Sequence, residues 1–157
     1  MRFISASAVS LFCLLSIAAE SALACSCAIP LDPDMAIHRL ADRAERIFVG
    51  KVTSQKMIEP SKESSEVQES ELAVAWTWKG ALAKTVVLRI DIQCCVCGIH
   101  LRLNEEYLIF AFQDRDGHLS ATFCSSRHID KADEQIEALN RKYPNGAWAP
   151  EEIELER

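Results

Sequence analysis

The sequence contains no His-Glu-x-x-His motif, no serine in a Gly-x-Ser-x-Gly elbow and no internal repeat. Those absences close the usual routes to a zinc peptidase, a serine hydrolase and a solenoid. Positive charge is also scarce: 17 Lys and Arg stand against 23 Asp and Glu, for a formal net charge of −6. Nucleic-acid binding depends on neutralising phosphates with Lys and Arg, so a nucleic-acid partner is not expected. The histidines His38, His100, His118 and His128 are scattered singly and read as surface or turn residues.

What is present begins with an export signal. Arg2 supplies the positive end, an apolar run follows from Phe3 to Ala19, and Ala22-Leu23-Ala24 places small residues before a cleavage point. The run is short for a bilayer span and is interrupted by Ser5, Ser7, Ser10 and Ser16, so no membrane span is expected. Lipoprotein processing at Cys25 is disfavoured, because Ala22 stands where that pathway uses a large aliphatic residue. The expected organisation is a signal over residues 1–24, one domain over 25–145 and a tail over 146–157, located outside the cell or in the periplasm. Cleavage removes Arg2 and Glu20 together, which leaves the net charge unchanged, and it also removes Cys13. The seven cysteines then become an even set, Cys25, Cys27, Cys94, Cys95, Cys97 and Cys124, as expected for disulfides in an exported chain.

The rest of the chain predicts a small β-barrel flanked by two helices. Asp32 and Pro33 mark a helix start, and Ile37, Leu40, Ala41 and Ala44 recur at helical spacing. "RIFVGKVTSQKM" (46–57) reads as a strand, with Gly50 as a bulge or kink. The polar stretch Glu59 to Ser70 is too poor in apolar residues to pack and reads as a mobile hairpin loop, with strand extensions flanking it left open. "LAVAWTW" (72–78) and "TVVLRIDI" (85–92) alternate as strands, "EYLIFAF" (106–112) is a buried strand and "HLSATF" (118–123) a fifth. Asp130 reads as the cap of a last helix with Ile136, Leu139 and Tyr143 on one face. Five strands with short turns predict a mainly β fold, a small closed barrel with flanking helices.

Two chemistries compete for the cysteines. Cys94-Cys95-Val96-Cys97 contains a Cys-x-x-Cys, but a strand precedes it and Gly98 with another extended stretch follows, so no helix start lowers a thiol pKa. A metal could draw on Cys25, Cys27, Cys94, Cys95, Cys97 and His100, although exported thiols tend to oxidise before they meet metal. The adjacent Cys94 and Cys95 could pair with each other, pair elsewhere or stay reduced, and sequence leaves these open.

Two blocks carry a family resemblance. "CSCAIPLDPDMAIHRLADRAERIFVGKV" (25–52) resembles the start of the amino-terminal domain of the tissue inhibitors of metalloproteinases, with its Cys-x-Cys opening, prolines, helix and first strand. "CGIHLRLNEEYLIFAFQDRDGHLSATFC" (97–124) resembles that family's Cys-Gly segment, its "EYLI" strand and its next cysteine. The chain is shorter than the animal members, has no cysteine after Cys124, and resembles single-domain bacterial members.

The resemblance implies a netrin-like, five-stranded OB-type barrel in which Cys25 pairs with Cys97 and Cys27 with Cys124. It also implies an inhibitor of zinc metalloendopeptidases rather than an enzyme. The inhibitory wedge would comprise Cys25, Ser26, Cys27, Ala28 and Pro30, with Val96, Cys97 and Gly98 beside them. The free amino nitrogen and carbonyl oxygen of Cys25 would chelate the zinc of the target protease, with Ser26 facing its pocket. No cofactor of the chain's own is implied, and a monomer is expected. The competing expectation is a non-inhibitory netrin-like binding module.

Overall fold

The computed structural model describes Cys27 and residues 33–58, 66–92 and 98–148. Helix α1 (Pro33–Arg43) starts on the proline, whose fixed φ suits a first helical turn and whose missing N–H has no partner to lose there. Asp34 in its first turn and Arg43 in its last complement the helix dipole. At its C-terminus Lys79 Nζ donates to the carbonyls of Ala41 (3.0 Å) and Asp42 (3.1 Å), which the helix itself cannot satisfy.

Strands β1 (Arg46–Ile58) and β2 (Val67–Lys79) form one long antiparallel hairpin. Strand β3 (Thr85–Asp91) pairs with β2, β4 (Glu106–Gln113) with β1, and β5 (Leu119–Ser120) with β4. The order β3-β2-β1-β4-β5 curls into a nearly closed antiparallel barrel. Arg89 Nη1 and His118 Nε2, 2.7 Å apart, cross the seam between β3 and the start of β5. Strand β6 (Ser126–His128) extends the sheet beside β4, α2 (Asp133–Lys142) packs outside, and β7 (Ala147–Trp148) pairs with β2.

Two cores result. Phe48, Val52, Leu72, Val74, Val86, Leu88, Ile90, Tyr107, Ile109 and Ala111 fill the barrel. Ile47, Val49, Trp78, Leu108 and Phe110 face the other way, against Ile37 and Ala41 of α1 and Ala138 and Leu139 of α2. The continuous apolar run of β4 is thereby explained: alternate residues enter the barrel and the others lie under the helices. Trp78 Nε1 donates to Asn140 Oδ1 (2.8 Å), and Arg141 Nη2 pairs with Asp34 Oδ1 (3.2 Å), which ties α2 to the strand and to α1.

The structure bears out the fold class and corrects five local expectations. Val67 to Ser70 belong to β2, with Ser70 fully buried, because pairing with β1 and β3 supplies the backbone partners that the polar side chains do not promise. The alternation of 72–78 breaks at Ala75: Val49 and Gly50 of β1 oppose Trp76 and Val74, so Ala75 is an extra residue. That bulge sends Leu72 and Val74 into the barrel while Trp76 and Trp78 turn to the helices. The fifth strand is two residues long, since a 3-10 turn over Phe123–Ser125 ends the extended run. Asp130 lies in a 3-10 turn, Ile129–Lys131, and the helix begins after Ala132 with Asp133 and Glu134 at its positive end. Ala147 and Trp148, assigned by sequence to a tail, pair with Thr77 and Trp76.

Candidate functional site

Four antiparallel pairings separate β3 from β5 around the sheet, so the two strands run in the same direction. Both therefore deliver the chain to one end of the barrel. Strand β3 leads to Asp91 and on to Gly98; β5 leads to the turn that carries Cys124. The far end of the β1–β2 hairpin lies on this side as well, where Ile92 N donates to Glu66 O (3.0 Å).

The turn at Cys124 is built by hydroxyls. Thr122 N donates to Ser125 Oγ (2.8 Å), Ser125 N to Thr122 O (3.0 Å), and Ser126 Oγ to the same carbonyl (2.5 Å). Ser125 is buried, so its hydroxyl works without competition from water. On this turn Cys124 is bonded to Cys27, with the two Cα atoms 5.4 Å apart and a sequence separation of 97. Phe123, next to Cys124, is 55% exposed; Leu103 and Met57 are further exposed apolar side chains at this end.

Gly98 backs directly onto the end of β3. A Cβ there would collide with the Asp91 carbonyl oxygen and would lie 3.0 Å from Ile92 Cα, so the Gly of the Cys-Gly pair is demanded by a backbone crossing. From Gly98 the chain returns along β1. Leu101 is buried and its carbonyl accepts Gln55 Nε2 (2.6 Å), while Asn104 N donates to Val52 O (2.9 Å). Asn104 itself takes a left-handed φ of 66°, which asparagine tolerates better than most residues.

A polar cluster at the start of β4 was not legible as a site in the sequence. Glu105 Oε2 accepts the Tyr107 hydroxyl at 2.6 Å, and that hydroxyl accepts Arg102 N at 3.2 Å. Arg102 Nη1 lies 3.6 Å from Glu105 Oε1 and His128 Nε2 lies 3.7 Å from Glu105 Oε2. The tyrosine hydroxyl, with Arg102 and His128 nearby, holds the Glu105 carboxyl below its usual range. Burial, followed by the hydrogen bond to Glu105, pushes the Tyr107 phenol up. The only sequence signal for this cluster is the run Asn-Glu-Glu-Tyr at 104–107, which reads simply as a turn before a strand.

Of the expected site residues, Cys27 is joined to Cys124 as expected, and Gly98 lies at the same end of the barrel. Cys25, Ser26, Ala28, Pro30, Cys94, Cys95, Val96 and Cys97 lie outside the described residues, and with them the expected Cys25–Cys97 pair and the Cys94–Cys95 option that the sequence leaves open. Among the described residues no group of three or more His, Cys, Asp or Glu is arranged to hold a metal ion, and no helix is long and apolar enough to cross a membrane.

No curated protein matches the chain. The family model described as tissue inhibitor of metalloproteinase matches residues 23–147, which spans both cores, the Cys27–Cys124 bridge and the Gly98 crossing. With the nearly closed five-stranded barrel in agreement, the chain belongs to the tissue inhibitor of metalloproteinase family.

Proposed function

We propose that this chain is an exported inhibitor of zinc metalloendopeptidases that works through the amino terminus released by cleavage before Cys25. The family supplies the coarser statement, a metalloproteinase-inhibitor-like function. The observation that carries the finer one is the bond from Cys27 to Cys124, which clamps the segment two residues from the proposed terminus to a rigid turn at the barrel end.

The chemistry follows from that placement. A catalytic zinc keeps one position open for water. The α-amino nitrogen and carbonyl oxygen of Cys25 form a five-membered chelate that can replace the water, and its sulfur, held in the proposed bridge to Cys97, does not compete as a thiolate. Ser26 is small and polar enough to enter the pocket beside the zinc. In this proposal Ala28, Pro30, Val96 and Gly98 belong to the same inhibitory edge. Anchoring two residues away matters because a free terminus would lose ordering entropy on binding, and the clamp removes much of that loss in advance.

The test compares three forms of the mature protein against a panel of zinc proteases: a free Cys25 terminus, an acetylated one, and one carrying an additional alanine. Inhibition by the first alone is expected, with unchanged circular dichroism in all three. Equal inhibition by all three overturns the chelation mechanism. Inhibition by none favours a netrin-like binding module.

A further inference from the structure

Two arms of chain meet at the barrel end. One runs from Gly98 to Glu105 and is pinned to β1 through Leu101 O and Asn104 N. The other is the Cys124 turn, which holds Cys27 and continues into β6 and His128. One carboxylate touches elements of both. Glu105 Oε2 accepts Tyr107 Oη at 2.6 Å and lies 3.7 Å from His128 Nε2, while Arg102 of its own arm lies 3.6 Å from Oε1. The His128 ring stands edge-on to Tyr107 with centroids 5.4 Å apart. His128 Nδ1 lies 3.3 Å from Asp130 N and 3.4 Å from Asp130 Oδ2, which leaves Nε2 as the ring nitrogen that faces Glu105. The groups facing the carboxylate are thus Arg102, Tyr107 and His128, with Asp130 behind the imidazole.

We propose that Glu105 is a positioning residue that ties the Gly98 arm to the Cys124 arm and so fixes the spacing of the two halves of the inhibitory edge. Its functional consequence rests on the inhibitor reading above; the tie itself does not. The path is short on both sides. Toward Gly98 it passes through Arg102 N on Tyr107 and the buried Leu101. Toward Cys27 it passes through His128, then Ser126, whose hydroxyl closes the Cys124 turn on Thr122 O. A glutamine at 105 keeps an acceptor for the Tyr107 hydroxyl but removes the negative charge that faces Arg102 and His128.

Amide hydrogen exchange on the mature protein separates a tie from general stability. The wild type is compared with Glu105→Gln, with His128→Gln, which removes the contact from the other side, and with Asp42→Asn, which breaks an ion pair to Lys142 in the helical layer. Exchange severalfold faster at both Gly98–Leu101 and Cys124–His128 is expected in the first two variants, with β2 and β3 unchanged, and no change in either arm for Asp42→Asn. Faster exchange in one arm alone, or equally in all three variants, overturns the tie. Against any zinc protease that the wild type inhibits, Glu105→Gln should raise the inhibition constant severalfold and Asp42→Asn should leave it unchanged; loosened arms with full potency overturn the positioning role. If the wild type inhibits no protease, the inhibitor reading fails, and the exchange pattern still decides whether Glu105 joins the arms.

Discussion

Cys27 and Cys124 are bonded at a sequence separation of 97, and all five barrel strands lie between them in sequence. The bridge therefore closes the domain onto the segment that precedes it. Because Cys124 sits on a turn fixed by Thr122, Ser125 and Ser126, the constraint passes to a rigid support rather than to a loose loop.

Replacing both partners, Cys27→Ser with Cys124→Ser, should lower stability by about 2–4 kcal/mol, the usual range for a bridge that closes a long loop. Urea unfolding of the oxidised wild type and the double variant measures the difference. A midpoint that does not move would show that the barrel is indifferent to the anchor.

Gly98→Ala should be costly for a different reason. The added methyl meets the Asp91 carbonyl and lies 3.0 Å from Ile92 Cα, both backbone atoms that no rotamer change can clear. A loss of about 1–3 kcal/mol is expected, as for other overpacked sites. Gly117, whose added Cβ would meet nothing within 4 Å, is the comparison position for a glycine change without a clash. Its φ of 83° makes Gly117→Ala a measure of backbone strain alone.

The same contrast explains what could be read from the sequence. The alternation of Val86, Leu88 and Ile90 places their side chains inside the barrel, because a strand with period two has one inward face. The alternation of Leu72 to Trp78 misleads, since a bulge at Ala75 changes the face and leaves no mark in the residue types. Likewise Gln68 and Ser70 look like loop residues, yet their neighbours on β1 and β3 bury them. Cys27 and Cys124 were legible through the family resemblance, whereas Glu105, Tyr107 and His128 come together only through the pairing of β4 with β6. Local pattern records which face a residue prefers; it does not record which distant strand will supply a partner.

Trp78→Phe should cost about 1 kcal/mol through the lost hydrogen bond to Asn140 Oδ1, beyond the change in ring size. The edge-on packing of residue 78 against Trp76, at 6.2 Å between centroids, can persist with phenylalanine. A double-mutant cycle with Asn140→Ala isolates the bond: the second change should add little once the indole N–H is gone. Fully additive losses would show that the two side chains act separately.

Acid should weaken the fold through the carboxylates that hold charge partners. Hydrogen bonds from Lys56 and Arg89 hold Glu69 below its ordinary value of 4.5, and Tyr107 with Arg102 and His128 does the same for Glu105. A group whose folded pKa is depressed contributes stability that is complete above its unfolded value and is lost as pH falls through the folded one. Stability is therefore expected to be flat just above about pH 5 and to fall below about pH 4.5. Glu69→Gln should flatten that acid limb in urea titrations, and an unchanged slope would remove Glu69 from the account.

Inhibition should follow a separate, higher titration. A coordinating amine must be unprotonated, and an ordinary α-amino group has a pKa near 7.7–8.0. As pH falls below that range the protonated fraction of Cys25 grows, and zinc must displace a proton before it can bind. The inhibition constant should therefore rise by about tenfold for each pH unit well below neutrality, while the fold stays intact down to the carboxylate range. Measuring potency between about pH 6 and 8.5, with the protease's own pH dependence subtracted, tests this. A flat profile would mean that Cys25 does not present a titrating amine to the metal.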